Sequence, residues 1–309
     1  MESPCRVIDI DRPAPQPTAR DHVVVGVAAR PEQAPDGFDV LLTEDPEAPP
    51  PWVACADPQA TARHIGDAVG RHPAASVALV QVLRMGRVLP PPDRLLMESL
   101  AYSALQGGAD FRAWLAATPP RTPRPAPEPV RLRRDGDRLS VVLDRPRARN
   151  AFDAATRDAL CEALEVASAD PSITRVDLRG TGPAFCSGGD LTEFGTARDT
   201  AEAHRVRVSR SPAALLLRCA SKVTAHLHGA CVGAGIELAA FAGRVTATPD
   251  TVIRLPEIGM GLIPGAGGTA SLPARIGRER TAYLALTGTA LTATEALHWG
   301  LVDEVLLEN

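Results

Sequence analysis

Two glutamates and two glycine-rich turns are the parts of this sequence whose types and spacing could do chemistry. The first turn reads Gly182-Pro-Ala-Phe-Cys-Ser-Gly-Gly-Asp190 and the second Gly229-Ala-Cys-Val-Gly-Ala-Gly-Ile-Glu237. Glu257 lies downstream in RLPEIGMGLIPGAGG, before another glycine-rich stretch. Glycines let a backbone approach a ligand closely, and a helix opening after such a turn presents unpaired N–H groups at its positive end. One N–H from each turn would stabilise an oxygen that gains negative charge during a reaction. Glu237 has apolar neighbours on every side (Ile236, Leu238, Ala239, Ala240, Phe241), so burial would raise its pKa toward the range of a general base. Two carboxylates beside one oxyanion hole would make a proton-transfer site. Taken singly, each feature also has a structural reading. Glycine turns make tight connections, Glu237 would complement a helix dipole, and Glu257 would be a solvated loop carboxylate. Spacing alone does not bring the two glutamates together.

The elements that must position these residues form an α/β pattern after residue 130. Strands are predicted over 139–144, 174–180, 223–227 and 244–248. Asp153 caps a helix to about Ser168, helices cover 200–219, and a further helix runs from the second turn to about Ala242. Strands separated by helices imply parallel pairing, with a site at the strand C-terminal ends. Upstream, strands over 22–28 and 39–43 precede helices over 57–71, 73–86, 92–106 and 109–117, the first opened by Asp57-Pro58. Residues 119–129, PPRTPRPAPEP, hold six prolines and read as an extended linker. The expected organisation is an N-terminal region over 1–118, the linker over 119–129 and a catalytic core over 130–309.

The bulk numbers exclude more than they assert. A net charge of −4 over 309 residues gives no reason to expect nucleic acid or an anionic membrane as partner. No apolar run approaches the length of a membrane span, and the start lacks a signal-peptide layout, so the expected location is cytoplasmic. The six cysteines are scattered without C-x-x-C pairs or His clusters, so neither a metal site nor a disulfide framework is expected. Cys186 and Cys231 lie in the glycine turns, yet no base is evident for either, and they read as small buried residues. His226 and His228 read as structural.

At this point the sequence resembles the enoyl-CoA hydratase/isomerase (crotonase) superfamily. The segments AFCSGGDL (184–191), HGACVGAGIEL (228–238) and LPEIGMGLIPGAGGT (255–269) are similar to its three signatures, in order. RPRARNAFD (145–153) and LTGTALTATEALHWGLVDEV (286–305) resemble the flanking portions. The resemblance implies a crotonase-like core with Glu237 and Glu257 as catalytic acid and base, and the N–H groups of Ser187 and Ala234 as the oxyanion hole. It implies an acyl-CoA thioester as partner, with coenzyme A entering only as part of the substrate and no permanently bound cofactor. Ala184, Phe185, Asp190 and Leu191 are the implied coenzyme A contacts along the first turn, with Arg147 and Ala148 beside the same path. A homo-oligomer, trimer or dimer of trimers, is also implied. Water addition to a 2-enoyl-CoA is the expected reaction. Double-bond isomerisation or C–C cleavage is the alternative, with a non-catalytic acyl-CoA-binding subunit as another class and a cofactor-free oxygenase more remote.

Two departures stand out. Ala234 replaces a common glycine while keeping its N–H. The family's usual C-terminal helices do not follow GLVDEV, whereas residues 56–86 and 95–120 resemble them in order. A circular permutation would explain this, with the helical region now leading, and the remnant of a duplicated module is the rival account. A basic residue often found after the last of these helices is missing from Ala116-Ala117-Thr118, and Arg121 or Arg124 would take its place.

Overall fold

The structure is a computed structural model that describes residues 3–12, 20–29, 31, 34–124 and 126–306. Strands β1 (Cys5–Asp9), β2 (Val23–Val27), β3 (Val40–Thr43) and β4 (Val53–Ala54) form one parallel sheet in sequence order. Its centre is apolar on both faces: every residue of β2 and β3 is buried, as in a sheet covered on both sides. Helices α1 (Pro58–Arg71), α2 (Pro73–Gly86), α3 (Pro91–Gln106) and α4 (Ala109–Ala117) follow. Asp57 caps α1 by accepting from the Ala60 N–H at 2.7 Å, and Pro58 at the first helical position leaves no donor orphaned.

The proline-rich segment joins this region to β5 (Val130–Asp135), which pairs antiparallel with β6 (Arg138–Leu143) across a turn at Gly136. β5 is an edge strand rich in arginine, which hides its period in the sequence, and it breaks the expected all-parallel pairing. The larger sheet runs β13-β10-β8-β7-β6-β5 and is parallel from β6 to β13. Its remaining strands are β7 (Arg175–Gly180), β8 (Val223–Leu227), β10 (Arg244–Ala247) and β13 (Glu304–Val305). Helix α5 (Ala154–Ala169) crosses between β6 and β7, capped by Asp153, whose Oδ1 accepts from the Thr156 N–H at 2.8 Å. The segment over 200–219 is two helices, α6 (Thr200–Ser209) and α7 (Pro212–Cys219). The break follows from Pro212, which has no N–H to continue α6, and Ser211 caps α7 instead.

A smaller sheet, β12-β11-β9, is built from β9 (Ala230–Val232), β11 (Val252–Arg254) and β12 (Leu291–Thr292). Helix α8 (Ala234–Ala239) is shorter than the sequence predicts, and residues 240–242 close it as tight turns. Helices α9 (Gly268–Thr287) and α10 (Ala293–Trp299) complete the core, α9 with a non-helical Gly277 in its middle. The larger of two apolar clusters among the described residues joins both regions: Ile65, Leu79 and Leu83 pack in the same cluster as Leu216, Ile236 and Leu272. Among the described residues no helix is long and apolar enough to cross a membrane.

Candidate active site

The two glycine turns meet through their backbones. Ala184 bridges Gly229 and Cys186 bridges Cys231, with the Cys186 N–H donating to the Ala230 carbonyl at 3.2 Å. The approach is close enough to require glycine at 235, where a Cβ would fall 2.4 Å from the Cys186 carbonyl oxygen. Gly233, in a left-handed conformation with φ 49, turns the chain from β9 into α8. A Cβ there would fall 2.5 Å from Glu257 Oε1 and 3.8 Å from Glu237 Oε1. The two carboxylates therefore converge over this glycine, although they lie on different elements, α8 and the short turn Glu257–Met260.

Burial sets their protonation. Glu237 is 2% exposed, and both glutamates line one cavity of about 250 Å³. Burial and the nearby Glu257 and Glu98 carboxyls push the Glu237 pKa well above the usual carboxylate range, opposed by N–H donors. Those donors are Ala266 and Gly268, which give to Oε2 at 2.7 and 2.9 Å. Glu257 is pushed up to about 8, chiefly by burial and further by Glu98. Its Oε2 is buried with no partner among the described residues. Two buried carboxyls facing one cavity resist carrying two negative charges together. The two N–H donors favour the anion on Glu237, and the unpartnered oxygen favours the neutral acid at Glu257.

The expected oxyanion donors fare differently. Ala234 is the first residue of α8, so its N–H has no acceptor within the helix, and it lines the cavity. The Ser187 N–H is already given to the Arg149 carbonyl at 3.0 Å, and Ser187 does not line the cavity. The expectation at Ser187 is corrected to Gly189. Around Gly189 the neighbouring groups are spent on Phe152: the Phe152 N–H gives to the Gly188 carbonyl, and the Asp190 N–H to the Phe152 carbonyl. Alternation along that segment turns the Gly189 N–H the opposite way, toward the cavity it lines, and no described group accepts from it.

Of the six implied coenzyme A contacts, Asp190 alone lines the cavity. Its Oδ2 accepts from Arg145 at 3.0 Å and its Oδ1 from the Thr192 N–H at 3.0 Å, so it holds the turn in place. Ala184 and Phe185 are buried beneath that turn, and Leu191 flanks it half-buried. Arg147 is exposed and Ala148 half-buried on the outer side, where the Arg147 carbonyl accepts from Arg124 at 2.7 Å. His226 is a structural residue, bonded to Asp177 at 2.7 Å and Thr246 at 3.0 Å. Burial pushes the Cys186 thiol up to about 12 and the Cys231 thiol upward as well, which leaves neither a nucleophile.

The residue that sequence reasoning missed is Glu98, from α3. It lines the cavity, is 2% exposed, and accepts from the Gly267 N–H at 2.7 Å and from Thr269 through its N–H at 2.8 Å and its hydroxyl at 2.7 Å. Glu98 and Glu237 thus divide four successive N–H groups of residues 266–269 between them, alternately. Burial pushes Glu98 up to about 7 despite these bonds. Tyr102, one turn along α3, lines the same cavity and packs against Gly265. The signal was LLMESLAYSAL, an acidic residue inside an apolar helical pattern, with nothing local to say what it faced.

The six-stranded, mostly parallel sheet, the crossed glycine turns and the carboxylates above them define an α/β fold of the crotonase type. A model described as enoyl-CoA hydratase/isomerase matches residues 138–309, more than half of the chain. The chain belongs to the enoyl-CoA hydratase/isomerase family. It is 38% identical over 166 residues to YngF of Bacillus subtilis, named as a candidate enoyl-CoA hydratase/isomerase, covering 53% of this chain and 64% of that one. It is 37% identical over 177 residues to the enoyl-CoA isomerase/hydratase fer4 of Mycosarcoma maydis, with the same coverage, 53% and 64%. A solved enoyl-CoA hydratase from Thermoplasma volcanium superposes with a TM-score of 0.53 at 35% identity, over 58% of this chain and 71% of that one. The match spans somewhat less than two thirds of the length of these curated relatives.

Proposed function

We propose that the chain is a hydro-lyase that adds water to a 2-enoyl-CoA, or removes it in reverse, with Glu237 as base and Glu257 as acid. The observation that carries this reading is the convergence of two buried carboxyls over Gly233, beside the free N–H groups of Gly189 and Ala234. The thioester carbonyl accepts from those two N–H groups, which stabilise the enolate oxygen as it forms. Glu237 takes a proton from water as its oxygen bonds to C3, and the C2–C3 π pair moves into the enolate. Glu257 then gives its proton to C2 as the carbonyl reforms. The proton gained by Glu237 returns to Glu257, whose carboxyl lies beside it. Both elements of water end in the product and the pair is restored.

The test is loss of 2-enoyl-CoA absorbance with the wild type, Glu237→Gln and Glu257→Gln. Both variants should lose about 10²- to 10⁴-fold in kcat, the usual contribution of a positioned acid or base. Activity of the wild type on a 3-enoyl-CoA, abolished by one substitution and spared by the other, would point instead to double-bond isomerisation. The name of fer4, which joins both reactions, keeps that second reading open. We also propose that the helices over 58–117 occupy the role of the family's C-terminal helices, as a permuted arrangement. The presence of Glu98 and Tyr102 in the cavity supports this. The assembly proposed is a homo-oligomer, to be read from its mass in solution.

A further inference from the structure

Several buried and half-buried arginines among the described residues are neutralised by carboxylates. Arg145 pairs with Asp153 and Asp190 at 2.9 and 3.0 Å, and Arg275 with Asp303 at 3.2 Å. Arg207 is different. It reaches from α6 into the site cavity, and its hydrogen-bond partners are neutral. Nε donates to Ser99 Oγ at 3.2 Å, Nη1 to Gln106 Oε1 at 3.1 Å, and Nη2 to Ser103 Oγ. No described carboxylate lies within ion-pair distance of it, and Glu98 acts on it only from farther off. Arg280 also lacks a carboxylate, but it gives its guanidinium to the Trp52 carbonyl and the Trp299 ring and does not line this cavity.

A guanidinium carries five N–H groups, and three are used. One remains on each Nη atom, the number that a bidentate carboxylate takes. A cation in a partly desolvated pocket is costly until an anion completes it. Ser99, Ser103 and Gln106 hold the group in place in the meantime, and Arg207 is stacked 4.8 Å from the Tyr102 ring centre.

We infer that the acyl group this site takes ends in a carboxylate gripped by Arg207, which makes the ligand a short dicarboxylic acid joined to CoA as a mono-thioester. This rests on the reading that an acyl-CoA thioester occupies the cavity. The order of groups fits such a ligand. The free N–H groups of Gly189 and Ala234 take the thioester oxygen, Glu237 and Glu257 stand at the next carbons, and Tyr102 lies within electrostatic reach of both glutamates and of Arg207. The acyl chain therefore runs past the glutamates, along Tyr102, to the guanidinium. Glu98 also faces this path. The three glutamates would repel a carboxylate if all were ionised, but burial pushes each of them up, Glu98 to about 7 and Glu257 to about 8, so the pocket carries less negative charge near neutral pH than three carboxylates would. Glu193 at the rim has its carboxylate turned to the Ala154 N–H at 2.9 Å. Arg157 and Arg210 flank the same rim beside Asp158.

Equilibrium binding of glutaryl-CoA and pentanoyl-CoA tests this without catalysis. Both acyl groups have five carbons, and neither has a double bond to hydrate. The wild type should bind glutaryl-CoA about 10- to 100-fold more tightly, the range for hydrogen bonds to charged groups. Arg207→Met should bring the two within about threefold, and Arg207→Lys should keep part of the preference because the charge remains but the fork is lost. Equal affinities in the wild type, or a preference that persists in Arg207→Met, would overturn the carboxylate assignment while leaving the acyl-CoA reading intact. Failure of both esters to bind the wild type would overturn the acyl-CoA reading itself.

Discussion

The site is assembled from two regions that differ in how their polar groups are held. The core contributes backbone N–H groups at Gly189 and Ala234 together with carboxyls placed by a glycine of φ 49 and by a short turn. The N-terminal helices contribute side chains alone, Glu98 and Tyr102 from α3, seated against a loop of the core. Backbone groups in crossed turns cannot move without unfolding the crossing. Side chains on a packed helix depend on the docking of that helix. The difference teaches that the core half of the site is fixed by crossed backbone turns and the helical half by the docking of side chains, so the two halves should fail in different ways when altered.

The largest effects should come from the core. Glu257→Gln removes the proposed proton donor but keeps the shape, and should lower kcat by about 10²- to 10⁴-fold with little change in melting temperature. Ala234→Pro deletes one proposed oxyanion donor at a first helical position that tolerates proline, and should cost about 10²- to 10³-fold in kcat at an unchanged fold by circular dichroism. A mild effect from either would break the comparison, because it would mean that the core does not carry the chemistry.

The helical half should show itself first in stability. Glu98→Ala leaves the buried Gly267 and Thr269 N–H groups without acceptors, and should destabilise the fold by about 3 kcal/mol in urea unfolding. Glu98→Gln keeps one acceptor oxygen, so it should be milder in stability yet shift the basic limb of the kcat–pH profile downward. That shift follows because a neutral neighbour no longer raises the pKa values of Glu237 and Glu257. A Glu98 that only filled space would leave the profile where it was.

A further effect is a slope of stability with pH. Glu98 and Glu257 hold protons in the folded state up to about 7 and about 8, against 4.5 as the ordinary value. Between pH 4.5 and 8 the native state thus binds more protons than the unfolded chain, so stability falls as pH rises through that window. Melting temperatures at pH 5.5 and 8.5 should show this fall in the wild type and a smaller one in Glu257→Gln. A wild type more stable at the higher pH would contradict the burial of these acids.

Much of the core was legible because its signals are local. Asp57 and Asp153 announce their helices by capping them, and the strands at 139–144 and 223–227 appear where the alternation put them. The division of 200–219 was also within reach, since Ser211-Pro212 is a cap followed by a first-turn proline. β5 was hidden because an edge strand with arginines on its exposed positions carries no apolar period.

By itself the sequence determined the two glycine turns, the two glutamates near them and the helix starts, because caps, turns and dihedral freedom depend on residues within a few positions. Tertiary structure alone decided which N–H groups of those turns are free. Ser187 and Gly189 are two residues apart, and only the neighbouring Arg149 and Phe152 segments distinguish the donor that is spent from the one that faces the cavity. It also decided that Glu98 belongs to the site. Its acceptors' partners lie 169 and 171 residues away along the chain, and a contact of that range exists only once α3 has docked and the carboxyl has traded water for the amides of a buried loop.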